Sequence, residues 1–140
     1  MGLETLPALR RDQLGRSLLQ HYTDSTSSYL TVGTSRAPNP FLTLVLPLAH
    51  EFDDVLHIVL ALSGSHLSFT NPSYAVVSHS HYAVALRAVK HRITLAAQGK
   101  KHDILHLLVL LLLLCQFEVR THNTQSLFSR ANIWSCPSGR

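Results

Sequence analysis

The 140-residue sequence is 46% hydrophobic and only 14% charged, with a net charge of +4 when its ten histidines are neutral. That is enough apolar material for one core and too little chain for two. Charge stands well below the usual share of a soluble domain, so some of the apolar surface is expected to be covered by a partner or by further chain. The basic residues are scattered in places such as Arg10, Arg11, Lys100 and Lys101, without the clustered, aromatic-interleaved stripe that follows a phosphate backbone, so direct nucleic-acid binding by this segment is not expected.

In chain order, Leu14, Leu18, Leu19 and Tyr22 recur at helical spacing after Asp12 and predict a first helix over about 13–22. Residues 23–40, rich in Ser and Thr and holding Pro38 and Pro40, read as a long connection with one further turn near Tyr29 and Leu30. Residues 41–46 are apolar, and Pro47 stops that run or opens the next helix. Phe52, Val55, Leu56, Val59, Leu60 and Leu62 then form a core-facing stripe, with Glu51, Asp53 and Asp54 near the positive end of the helix dipole.

Asn71 and Pro72 open a helix carrying Tyr82, Leu86, Val89, Ile93 and Ala96, and Gly99 is its left-handed stop. The next helix, about 102–119, is apolar on every side in its middle and is expected to be wrapped by neighbours as the centre of the bundle. Its unbroken run 107–115 is far short of the roughly 20 residues a bilayer core requires and is bracketed by Asp103, His106, Gln116 and Glu118, so no membrane span is expected. Residues 120–140 read as a polar tail with Leu127, Phe128, Ile133 and Trp134. The fold class that results is all-α, an irregular multi-helix bundle with a central apolar helix.

Candidate chemistry is sparse. Cys115 and Cys136 cannot form a disulfide framework, and Cys115, inside the leucine run, is expected to be a buried thiol; a reducing compartment fits best. No signal-peptide stretch occurs before Arg10. His102 and His106 lie at metal-ligand spacing but lack a third ligand, and His50 and Glu51 begin a metalloprotease signature that Asp54 ends. His57, His66, His79 and His81 can be combined with Ser63, Ser65 or Ser80 only on paper, since no nucleophile elbow is present. Asp53 and Asp54 read as helix-start charges, and Arg87, Lys90 and Arg92 as a solvated edge. No catalytic, cofactor-binding or metal-binding residue is assigned, and an enzyme is not expected.

One family has these motifs in this order. Leu18, Leu19, Gln20, His21 and Tyr22, with Thr26, Ser27 and Leu30, form the first; Asn39, Pro40 and Phe41 with Leu46, Pro47, Leu48 and Ala49 the second. The third runs from Leu56 to Ser63 with His66 and Leu67, the fourth is His81, Tyr82, Ala85 and Leu86, and the fifth runs from Leu112 to Val119. Over about residues 14–119 the chain resembles the fungal-specific transcription factor domain, the regulatory middle domain that follows a zinc binuclear cluster in fungal regulators.

The resemblance implies a regulatory, protein-interaction module in the nucleus, and the uncovered leucines add the expectation that it associates with itself or a relative through the apolar central helix. The family's DNA-reading cluster needs six cysteines, and neither cysteine here precedes residue 115, so that activity is not carried over. Leu127 stands where the family has a tryptophan, and Gly64 where it has alanine. The expectation is a single partial domain ending in a divergent tail, a fragment or short paralogue able to act as a dominant-negative partner. The resemblance also allows a small apolar ligand among the leucines, with core packing the plainer account. The alternatives are a small helical metal- or lipid-associated protein and a peripheral membrane protein.

Overall fold

The computed structural model describes residues 12–31, 37–100 and 103–134, those from 124 onward through the backbone alone. Among the described residues the fold is all helical, as the sequence predicts. Helix α1, Gln13–His21, follows Asp12, whose extended backbone (φ −64°, ψ 128°) ends in a carbonyl that accepts the Arg16 N–H at 3.0 Å. The predicted break after Tyr22 does not occur: a wider π turn, Tyr22–Thr26, leads directly into α2, Ser27–Leu30.

The wide turn has a packing reason. Leu18, Tyr22, Thr26 and Leu30 are all buried although they stand four apart, a spacing that walks around a regular α-helix. A π turn takes an extra residue and keeps all four on one face. Tyr22 is fully enclosed, and its hydroxyl donates to the Phe41 carbonyl at 3.0 Å, tying the first helical segment to the second.

That second segment begins with another π turn, Phe41–Val45, and continues as α3, Leu46–Glu51, with Pro47 near its start. The wide turn falls where a proline ring would otherwise press on the preceding turn. Phe52, extended at φ −122° and ψ 126°, separates α3 from α4, Asp53–Leu67. Helix α5 is Tyr74–Ala97 and α6 is Ile104–Trp134.

The predicted stop of α5 is met, and at its start Asn71 and Pro72 lie in the turn just before the helix rather than as its cap and first-turn proline. Asn71 Oδ1 accepts the Ser73 N–H at 3.2 Å and the Ser73 hydroxyl at 2.7 Å ahead of its first turn. At the other end Gly99 takes φ +72°, and the Gly99 and Lys100 N–H groups return to the carbonyls of Ala96 and Leu95 at 3.0 and 3.1 Å. This pair of bonds satisfies two carbonyls that the helix leaves free, and only glycine adopts that φ at little cost.

The enclosed helix is α4. Every residue from Asp54 to Ser65 is buried, so the predicted stripe is a helix covered all round. Its polar positions are met by neighbours: Ser63 donates to the Leu18 carbonyl at 2.6 Å, and Ser78 of α5 donates to the Ala61 carbonyl at 2.7 Å. Gly64 permits the approach of α5, since a methyl there would lie 3.1 Å from Ser78 Cβ and 3.3 Å from its Cα.

Gly64→Ala therefore sets a gain of about 1 kcal/mol in helix propensity against an overpacking cost of about 1–3 kcal/mol. We expect a net loss of about 1 kcal/mol, read as a lower urea midpoint with unchanged slope; a variant more stable than the parent would show that α5 yields freely.

Three expectations are corrected. The helix predicted at about 102–119 is present but is not covered on every side, because α4 occupies the middle of the bundle and only one face of α6 reaches it. Cys115 is exposed rather than buried, since it lies on the other face. The helix does not end near Val119 but runs on to Trp134, because the polar residues after Arg120 interrupt the apolar pattern without breaking the backbone. His102, weighed with His106 and not assigned as a metal ligand, and Cys136 lie outside the described residues.

Candidate protein-interaction face

Helix α6 carries two apolar faces. His106, Leu110, Leu113, Leu114 and Phe117 are buried against the bundle. Phe117 stacks on Tyr82 of α5 (centroids 4.5 Å apart, rings 13° from parallel) and meets His79 edge-on at 5.9 Å. The Tyr82 hydroxyl donates to Glu118 Oε1, and burial together with that bond and the carboxylate's charge pushes the phenol up to about 12.

On the opposite side stand Leu105, Leu108, Leu112, Cys115 and Val119, all exposed, and the four aliphatic ones by more than half. Successive steps of three, four, three and four residues keep them in one line about 21 Å long. No charged residue interrupts the line. An apolar seam of this length in contact with water is of the kind found at interaction surfaces and binding grooves. By length and composition Ile104–Asn123, 20 residues, is also sufficient to cross a membrane, although the face holding Leu110, Leu113, Leu114 and Phe117 is enclosed by protein.

A set of ionisable contacts fixes α6 and its neighbours on α4. Asp54 accepts from Arg92 Nε of α5 at 2.6 Å, from His106 Nε2 of α6 at 2.8 Å, and from the Val55 N–H at 2.9 Å. Arg92 is thus drawn out of the solvated edge read from the sequence, and the neighbouring Asp53 is exposed. His57 Nδ1 lies 2.9 Å from His81 Nδ1, and His66 Nδ1 lies 3.1 Å from both His21 Nε2 and Thr26 Oγ1. Tyr29 stacks on His66 at 4.5 Å, with the Arg120 guanidinium 4.3 Å above the Tyr29 ring.

Burial holds His21, His57 and His66 below the ordinary imidazole value. Among the described residues no group of three or more His, Cys, Asp or Glu comes together as a metal site. Two of the three serines weighed as nucleophiles are used otherwise, Ser63 bonding the Leu18 carbonyl and Ser80 the Val76 carbonyl at 3.0 Å, and the third, Ser65, is buried in α4. A depression along α1, lined by Gln13, Arg16, Ser17, Gln20, His21 and Asp24, has polar walls unsuited to an apolar ligand.

Sequence reasoning named the leucines of α6 and missed which of them face outward. The signal is the second three-four series, 105, 108, 112, 115 and 119, running beside 106, 110, 113 and 117. Comparison with known proteins agrees with the family that the motifs resemble. Over 69 residues, 49% of this chain and 13% of the relative, the sequence is 30% identical to the transcriptional activator protein UGA3 of Saccharomyces cerevisiae. The chain thus spans a small part of that protein's length, and no solved structure matches it. Residues 17–134 match the fungal specific transcription factor domain, so the chain belongs to that family and its role lies in transcription regulation.

Proposed function

We propose that the chain is the protein-interaction module of a fungal transcription factor and that it works through the open leucine face of α6. The observation that carries this reading is one helix with two opposed apolar faces, the first locked into the bundle and the second exposed at the spacing of a helix-pairing seam. A helix from a partner protein, or from a second copy, is the occupant whose shape matches it. In this reading residues 1–140 are one regulatory domain or part of one, act in the nucleus, and depend on a separate DNA-binding cluster. Alone, the chain would pair with full-length relatives and lower their activity. No catalytic step is assigned to it.

The experiment pairs a reporter with association measurements. Fused to a foreign DNA-binding domain, the chain is expected to alter reporter output, and Leu108→Glu with Leu112→Glu is expected to abolish that effect and weaken association by more than about tenfold. Folding stability should change by only about 0.5 kcal/mol per substitution, because both sites are exposed. Unchanged output and association in the double variant would overturn the reading. Flotation with anionic vesicles, lost in the same variant, would assign the face to a membrane surface instead.

A further inference from the structure

Helix α4 meets α1, α5 and α6 through three histidine contacts: His66 with His21 at 3.1 Å, His57 with His81 at 2.9 Å, and Asp54 with His106 at 2.8 Å. We propose that they form a proton-operated joint: between about pH 7 and pH 5, proton uptake loosens α1 and the first half of α5, around His81, from α4, while α6 and the Arg92 end of α5 stay fastened through Asp54.

The chemistry of the three contacts differs. Two imidazole nitrogens at hydrogen-bond distance need one N–H and one lone pair between them, and a proton on each leaves two donors face to face. His66 Nδ1 has both His21 Nε2 and Thr26 Oγ1 at 3.1 Å, which suits it as an acceptor in the neutral ring. Burial is the larger effect on both rings; the charges of Arg120 and a protonated His21 also oppose a proton on His66, and Asp24 beside His21 favours one on His21. At the second pair Asp54 favours a proton on His57 and Arg87 opposes it, with burial the larger effect.

The third contact is of another kind. A carboxylate accepts from a neutral or a charged imidazole, and more strongly from the charged one, so acid does not remove the bond between Asp54 and His106. Arg92 Nε on the same carboxylate adds a cation that does not titrate in this range.

The sign follows from linkage. Unfolded histidine titrates near pH 6.5, whereas burial holds His21, His57 and His66 lower in the folded chain. Below about pH 6.5 the open state therefore binds more protons, and the stability these groups hold above that pH is lost as acid is added.

Amide hydrogen exchange on the full chain at about pH 7.5 and about pH 5.5, corrected for the intrinsic rate, reads each helix separately. Protection in α1 and in the first half of α5 is expected to fall at the lower pH, while the Arg92 end of α5 and residues 104–117 of α6 keep theirs. His66→Gln should remove the acid response of α1 alone, and His57→Gln that of α5 alone, since glutamine keeps a hydrogen bond without titrating. His21→Gln, on the more open side of the first pair, gives the same reading if His66→Gln does not fold. Equal loss in all three helices, no loss, or an acid response that persists in the glutamine variants would overturn the joint. None of these substitutions touches the exposed face of α6, so the outcome is separate from that of the reporter experiment.

Discussion

Replacing Phe117 by alanine is expected to cost about 4 kcal/mol of folding stability, a large part of the roughly 5–15 kcal/mol available to a small domain. The ring is 2% exposed, and it fills the space between α6 and α5 while stacking on Tyr82 and meeting His79. Truncation leaves a cavity walled by two long helices whose backbones cannot close it, so the lost transfer energy and the cavity add. Val119→Ala, two residues on and more than half exposed, should change stability by under about 0.5 kcal/mol. Urea denaturation of both variants checks the contrast. Equal effects would mean that the two faces of α6 are wrongly assigned.

A second large loss is expected for Asp54→Ala, about 3 kcal/mol, because one carboxylate serves three helices at once. Its removal leaves His106, with a side chain 2% exposed, and Arg92, 28% exposed, without their common acceptor. Arg92 can turn towards water and recover part of the cost, which keeps the figure below that of a fully enclosed pair. Asp53→Ala, at an exposed position next door, should cost under about 0.5 kcal/mol. If the two alanine variants melt together, the charge at the start of α4, shared by both aspartates, is the whole of the effect.

Much of this fold was legible in local chemistry. Asn71, Pro72 and Gly99 delimit α5 because capping and left-handed φ are decided by a few neighbouring atoms. Which helix lies in the middle was not legible. Composition pointed to α6, with its leucines, whereas α4 carries His57, Ser63, Gly64 and Ser65 among its apolar residues and looks one-sided. Those polar groups are buried because other helices satisfy them, and a hydroxyl that bonds a carbonyl 45 residues away looks in sequence like one that faces water.

The histidines carry the same lesson. The sequence allows His57, His66, His79 and His81 to be set beside serines only on paper, whereas the fold joins His57 to His81 and His66 to His21. The leucine face of α6 was readable as a need for covering, and family membership as an order of motifs. In the function proposed above the covering surface would belong to another molecule or another stretch of chain, which no pattern within α6 describes.

The π turn after α1 also bears on how the chain can change in length. Since Tyr22–Thr26 holds one residue more than a plain helix with the same inward face requires, losing one residue among Thr23, Asp24 and Ser25 converts the spacing of Leu18, Tyr22, Thr26 and Leu30 to four, three and four. That is the regular helical pattern, and all four side chains stay inside. Within α4, enclosed at every position from Asp54 to Ser65, a one-residue deletion turns each following side chain by about 100° with no spare residue to absorb it. Insertions and deletions among relatives therefore have a place to accumulate at the first wide turn and none in the central helix.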